Sequence, residues 1–258
     1  MLRPPTWLRS LAPLVLADLR RRYAGSVLGA LWAVLGPIVE VAVYAAVFGW
    51  LLGAAERTGM PYAVLIASGL FPWIAFREAL EGCASVLVDN RWVRRSRVPM
   101  ELLVARLVLV SLVRAVVSLL VVFGFAAFAG RGFNLAGWIL PLVALALQAL
   151  GTYGLGLLVA PMATLAPDLR PTLVSLLTLL TFASPILYPE SVARGALKSI
   201  LLCNPFTHLL RLYRSPVEAL PGPTALAAMG VAVAATVAAL VVGRWVQARL
   251  WWKARDLL

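Results

Sequence analysis

Apolar residues run along this chain in six long blocks, at about 27–52, 62–86, 102–129, 138–160, 172–188 and 224–243, each closed by Gly, Pro or a charge. Within a block they follow one another without the every-second-residue alternation of a barrel strand. Roughly 20 such residues cross the hydrocarbon core of a bilayer, where the backbone can satisfy its own hydrogen bonds only as a helix or a closed barrel. The pattern predicts an all-α integral membrane protein with six transmembrane helices, built as a single transmembrane domain over residues 1–258.

Two segments outside the blocks carry a pattern of their own. In residues 1–26, Leu8, Leu11, Val15 and Leu19 fall on one stripe at helical spacing, with Trp7 beside it and Arg9 and Arg20 off it. Thr6, after two prolines, suits a helix cap. This predicts an amphipathic helix along the cytoplasmic membrane face, which Pro13 must bend or split. Residues 189–223 are too polar to span, yet Ile200, Leu201, Leu202, Phe206, Leu209, Leu210 and Leu212 are too apolar for a solvated loop. Short helices re-entering the outer leaflet, broken at Asn204-Pro205, satisfy both facts. The short fifth block, ending SPILYP, agrees with that picture.

Charge sets the orientation. Hydrophobic residues make up 62% of the chain and charged ones 13%, against about 25% in a soluble domain. The formal charge of +12 comes from arginines that flank the apolar blocks instead of forming a basic domain, which excludes nucleic acid as the partner. Arg3, Arg9, Arg20, Arg21 and Arg22 precede the first block, Arg91, Arg94, Arg95 and Arg97 separate the second and third, and Arg244, Arg249, Lys253 and Arg255 follow the sixth. By the positive-inside rule both termini are cytoplasmic, with 244–258 as a tail. Arg57 and Arg131 stand alone in two opposite loops and agree; Arg194, Lys198, Arg211 and Arg214 in 189–223 run against the rule. The run after Arg22 is too long for the core of a cleavable signal and lacks a small-residue cleavage site.

Two ionisable residues lie inside blocks at matching depth, Glu40 in the first and Arg114 in the third. A lone charge there costs roughly 2.5–3.5 kcal/mol on insertion scales, so the two are expected to be neighbours, within a subunit or across an interface. Arg77 and Glu81, four apart beside Glu78, offer a competing pair on one helix face. Such a pair either fixes helix register or touches substrate. Tyr44, Phe48, Trp50, Tyr62, Phe71, Trp73, Phe76 and Tyr188 crowd the outer halves of the first two blocks and the approach to 189–223. They read either as interface belts or as a lining on which pyranose faces stack and slide.

Catalytic constellations are missing from the sequence. His208 is the one histidine, so no histidine-based zinc cluster can form within the subunit, and Asp18, Asp89, Asp168 and Asp256 make no close acidic motif. Lys198 and Lys253 follow Leu and Trp, so no Gly-Lys-Ser/Thr phosphate loop exists. Cys83 and Cys203 are placed at opposite sides of the membrane, which argues against a disulfide.

In order and spacing, RRRYAGSVLGALWAVLGP, SGLFPWIAFREAL, NRWVRRSRVPMELLVAR, APDLRPTLVSLL, FASPILYP and LLCNPFTHLLRLYR resemble the permease subunits of ATP-binding-cassette exporters for bacterial cell-surface polysaccharides, among them O-antigen, teichoic-acid and capsule exporters. The likeness covers about residues 7 to 215. It implies a homodimer of six-helix permeases in the bacterial inner membrane, with a separate nucleotide-binding ATPase subunit that carries ATP and Mg. No cofactor then belongs to this chain, and the missing phosphate loop is explained.

By position, the resemblance makes Trp7 to Tyr23 the cytoplasmic interface helix, with Arg20, Arg21 and Arg22 disposed toward lipid phosphate. It makes Arg91, Trp92, Arg94, Arg95, Arg97 and Glu101 the coupling element, Glu190 to Arg214 the periplasmic re-entrant helices, and Tyr44, Phe48, Trp73, Phe76 and Tyr188 an aromatic channel lining. The substrate implied is a lipid-linked glycan, with membrane lipids around it and room for periplasmic or outer-membrane export partners. A permease for a small amphiphile or drug, or a membrane enzyme acting on lipid-linked sugars, are the competing readings; the second lacks its acid, base or metal cluster.

Overall fold

The computed structural model describes residues 8–22, 32–51, 61–89, 98–128, 135–218, 220 and 222–257. All regular structure among them is helical. Helix α1 covers Leu8–Arg22, and Pro13 sits inside it without ending it. Helix α2, Trp32–Tyr44, widens into a π-helical stretch over Ala45–Leu51. There follow α3 (Tyr62–Asp89), α4 (Met100–Phe128), α5 (Leu135–Leu165) and α6 (Leu169–Phe182). A single 3-10 turn at Glu190–Val192 leads to α7 (Ala196–Cys203), α8 (Pro205–Arg214) and α9 (Gly222–Asp256).

Among the described residues four helices are long and apolar enough to cross a membrane: α3, α4, α5 and α9. Of the predicted first span, 27–52, residues 32–51 are described, and the fifth is shorter than expected. The described part of the first, Trp32 to Leu51, is helical throughout and changes pitch at Ala45. In place of a helix over 172–188, α6 stops at Phe182 after 14 residues, about 21 Å against a hydrocarbon core of about 30 Å. Pro185 and Pro189 lack the N–H that would carry it on, and residues 183–188 fold as turns. The sixth departs in the other direction. The predicted 244–258 tail is a straight continuation of α9 to Asp256, because Val246, Gln247 and Ala254 are buried against the bundle and hold the helix past its last apolar block.

Helix α3 is the hub. It packs against α2, α4, α5, α6 and α8, and residues such as Leu65, Ile66, Leu70, Trp73 and Leu80 carry the main core. Its interior Pro72 leaves part of the helical ladder open, and the carbonyl of Pro72 accepts a 2.8 Å bond from Gln148 Nε2 of α5. Gln148 Oε1 in turn accepts from the buried Tyr213 hydroxyl at 2.9 Å, so one amide joins α3, α5 and α8.

The most extensive helix pair is α5 with α9, and it is made by missing side chains. A Cβ on Gly154 would lie 2.6 Å from the Ala239 carbonyl carbon, and one on Gly243 would lie 2.0 Å from the Gly154 oxygen. Only glycine lets the two backbones meet there.

Helix α1 lies against α4, with Leu11, Val15 and Leu19 half-buried and Arg20 exposed, as the stripe requires. Asp18 Oδ2 reaches Arg106 Nε at 3.0 Å, fastening α1 near the start of α4.

Candidate functional site

Charges at the middle of the helices meet in one cluster. Arg114 of α4 places Nη2 3.1 Å from Glu78 Oε1 of α3 and Nη1 3.6 Å from Glu40 Oε2 of α2. The longer contact is an ion pair without a hydrogen bond, and Glu40 Oε2 is a buried oxygen with no hydrogen-bond donor. One helical turn on, Arg77 Nε donates to Glu81 Oε1 at 2.7 Å. The two arrangements open from sequence therefore coexist. At about 2.5–3.5 kcal/mol for each unpaired charge at mid-membrane, cross-pairing is what makes three helices carrying five such residues tolerable.

The segment after α6 is a helical hairpin held by polar side chains. Asn204 makes its corner: Oδ1 accepts from Phe206 N at 2.9 Å, capping α8, while Nδ2 donates to Ala183 O and Ser184 Oγ at 2.9 and 2.8 Å. Pro205 at the first turn fits because its missing N–H is an orphan there anyway. Gly195, with φ +56°, turns the chain into α7. Arg211 forks onto Glu190 at 2.7–3.0 Å, and that bond holds its guanidinium above the ordinary value. His208 lies within α8, with Nε2 2.9 Å from the Leu202 carbonyl.

Arg214, at 2% exposure, is the most enclosed charge among the described residues. It donates to Ser68 Oγ at 3.0 Å, Leu65 O at 3.2 Å and Pro185 O at 2.9 Å, tying α8 to α3 and to the turns after α6. Burial pulls its guanidinium down from the ordinary value, with Glu218 and Glu190 opposing. Gly69 gives it room: a Cβ there would meet Nη2 at 3.0 Å. Sequence reasoning singled out Arg214 only as a charge on the wrong side; the signal for its role is Ser68-Gly69 in α3, small residues facing it.

The five aromatics predicted to line a channel join one cluster around α3. Trp73 is buried within it; Tyr44, Phe48, Phe76 and Tyr188 pack against it. Tyr44 at the end of α2 and Phe48 in the π-helical stretch after it stack at 6.1 Å, and Trp73 sits edge-on to Phe206 at 4.9 Å while its Nε1 donates to Thr181 Oγ1 at 2.8 Å. Trp73 and Phe76 also border an apolar cleft of about 840 Å³ walled by Leu155, Ile200, Leu209 and Ala239.

Of the predicted coupling residues, Arg91, Trp92, Arg94, Arg95 and Arg97 lie outside the described residues, as do Trp7 and Tyr23 of the interface segment. The backbones of Arg21 and Arg22 end α1. Glu101, in the first turn of α4, accepts from Gln247 Nε2 at 2.5 Å and lies 3.6 Å from Arg244 Nη1, which ties it to α9. Beyond it, Arg249 sits 4.6 Å over the Trp245 ring on the open face of α9. Among the described residues no three His, Cys, Asp or Glu side chains gather closely enough to hold a metal, and Cys83 and Cys203 are unpaired thiols.

A family model described as ABC-2 type transporter matches residues 11–217. The chain is 32% identical over 211 residues to the O-antigen export system permease protein RfbA of Myxococcus xanthus, covering 80% of this chain and 78% of that one. To the polysialic acid transport protein KpsM of Escherichia coli it is 27% identical over 214 residues, 81% and 80% of the two chains. To the O-antigen export system permease protein RfbA of Klebsiella pneumoniae it is 24% identical over 200 residues, 76% and 75%.

Proposed function

The chain belongs to the ABC-2 type transporter family, and from that premise we propose that it is the channel-forming permease subunit of an ATP-driven exporter of lipid-linked polysaccharide. What carries the reading is the match to an O-antigen export permease protein and a polysialic acid transport protein over four-fifths of the chain. In this reading the protein sits in the bacterial inner membrane with both termini cytoplasmic. A second copy completes the path, and a separate ATPase subunit supplies hydrolysis with its own ATP and Mg.

Six crossings follow if α2 and α6 span as part of that dimer. Both are short, and both leave apolar side chains such as Ile38, Val43, Leu176 and Leu179 uncovered within one chain. The α7–α8 hairpin then re-enters the outer leaflet, where half-apolar helices can keep their backbones satisfied. The ATPase docks at the end of the bundle where α1, the start of α4 and the end of α9 come together. Arg91, Trp92, Arg94, Arg95, Arg97 and Glu101 form the coupling element there, and Trp7 and Arg20, Arg21, Arg22 and Tyr23 meet lipid headgroups, guanidinium forks being suited to phosphate oxygens. ATP-driven closure of the partner moves these elements and opens the path between subunits. The aromatics Tyr44, Phe48, Trp73, Phe76 and Tyr188 serve the sugar by ring stacking once that path opens.

The test is reconstitution with the ATPase in proteoliposomes and translocation of defined lipid-linked glycans. Glycan-stimulated ATP turnover with ATP-dependent appearance of glycan on the far side is the expected result. Turnover indifferent to every glycan offered overturns the reading.

A further inference from the structure

Three helices bring ionisable side chains to one depth. Glu40 lies midway along the helical run from Trp32 to Leu51. Arg77 is two residues past the centre of the Tyr62–Val88 stretch of α3, and Arg114 two past the centre of the Met100–Gly124 stretch of α4. Glu78 and Glu81 follow within about 9 Å of the α3 centre at 1.5 Å per residue, inside the roughly 15 Å half-thickness of the hydrocarbon core.

Pairing does not close these groups off. The side chains of Arg77 and Glu81 are 37% and 33% exposed, and that of Glu40 is 39% exposed. An ion pair neutralises net charge but leaves the outer lone pairs of each carboxylate and the remaining guanidinium N–H groups unsatisfied, and hydrocarbon cannot serve them. At the depth of Arg114, most of the exposed apolar surface of α4 lies elsewhere on that helix. On α4, Leu109, Val116 and Leu120 are exposed on the flank opposite Arg114, as a lipid-facing stripe should be.

We propose that Glu40, Arg77 and Glu81, backed by the Arg114–Glu78 pair, line a water-filled path through the middle of the membrane that carries a hydroxyl-rich chain. Resting on the exporter reading for its cargo, this places the hydrophilic side of the path on α2, α3 and α4, next to the aromatic cluster that Tyr44 and Phe76 enter from two of the same helices. The chemistry suits polyols. Carboxylates accept from sugar hydroxyls and guanidinium groups donate to them, and alternating sign along the patch offers both without a strong net charge to trap the chain. Three carboxylates against two guanidiniums leave a single surplus negative charge.

Cysteine accessibility tests it in the intact complex with the ATPase, in proteoliposomes, with and without ATP. In a background with Cys83→Ala and Cys203→Ala, single cysteines are introduced by Glu81→Cys, Glu40→Cys and, as the lipid-facing control, Leu120→Cys, which replaces a side chain 65% exposed. The probe is a membrane-impermeant methanethiosulfonate carrying a quaternary ammonium, which reaches thiols only through water. In at least one nucleotide state, positions 40 and 81 should react about tenfold or more faster than position 120, since the thiolate itself forms poorly in hydrocarbon.

Soluble dextran oligosaccharide should slow that reaction at position 81. If Glu81→Cys does not yield a monodisperse complex, Glu40→Cys on α2 carries the test alone, with dextran then expected to slow reaction at position 40. Equal rates at 40, 81 and 120 in both states would overturn the proposal, showing the charges to be sealed by protein. Fast labelling that dextran leaves unchanged would overturn the polyol assignment. Labelling needs no export, so a hydrated path with failed glycan translocation refutes the exporter reading alone, and slow labelling with glycan export intact refutes this one alone.

Discussion

Arg114 and Arg214 are both enclosed among helices, and they are held in opposite ways. Arg114 faces carboxylates from two other helices, one at hydrogen-bonding distance and one farther off, with its surroundings partly open. Arg214 has no carboxylate within 4.0 Å among the ion pairs described; its partners are two main-chain carbonyls and a serine hydroxyl, and it is sealed. A guanidinium between two carboxylates has alternatives, since it can lean to either as α2 shifts. One pinned by carbonyls has none, because those acceptors are fixed by the fold. The first arrangement suits a place that moves, the second a place that must not.

Removing each arginine separates the two most sharply. Arg214→Met removes three hydrogen bonds made by a charged donor, at about 1.5–3 kcal/mol each, leaving the Pro185 carbonyl without that donor while Leu65 O keeps the Ser68 hydroxyl, and should cause the largest fall in thermal midpoint measured by fluorescence-detected size exclusion. A midpoint unchanged from wild type would mean that the latch is idle. Arg114→Met should cost less, about 2 kcal/mol, because Glu40 and Glu78 keep some access to water. Combining it with Glu40→Gln should recover much of that loss, whereas strictly additive losses would show that the two side chains do not interact.

Lysine sharpens the comparison further. Arg114→Lys keeps a charge between carboxylates and should hold within about 1 kcal/mol of wild type, while Arg214→Lys cannot reach acceptors in three directions and should fall nearly as far as Arg214→Met. Equal tolerance at both positions would erase the distinction drawn here. The smallest effect is expected at the rim of the hairpin. Arg211→Gln breaks a fork with Glu190 that is only partly buried and should cost about 0.5–1 kcal/mol, shrinking further in high salt.

How much of this is legible in the sequence follows from what hydropathy measures. It reports how much apolar surface a segment has, so α3 and α4 come through to within about three residues at each end and α5 to within about five. Intramembrane charges are legible for the same reason: their cost in lipid forces a partner, and only a few candidates share the depth of Glu40. Asn204-Pro205 announces its corner through local chemistry, a side chain that caps and a ring that starts a helix.

Hydropathy does not report which face meets which neighbour. Nothing along the chain pairs Gly154 with Gly243, or aims Arg214 at Ser68 across 146 residues. That α9 runs on to Asp256 is hidden for a related reason. Its arginines and lysine look like a solvated tail, while the residues that decide the matter, Val246, Gln247 and Ala254, recur at helical spacing on the side turned to the bundle. The fifth span errs because apolar Ile186 and Leu187 extend the block through Pro185, and those side chains are buried in turns, not in helix.

Where Gly154 meets Gly243, main chain lies on main chain with no side chain to yield between them. A longitudinal slip of one helix along the other would drive carbonyl groups into Cα atoms, and a separation would strand the only surface at which they interlock so closely. The two therefore travel as a single strut. Any rearrangement that admits cargo has to be borne by the loosely covered α2 and α6, pivoting against a frame that stays put.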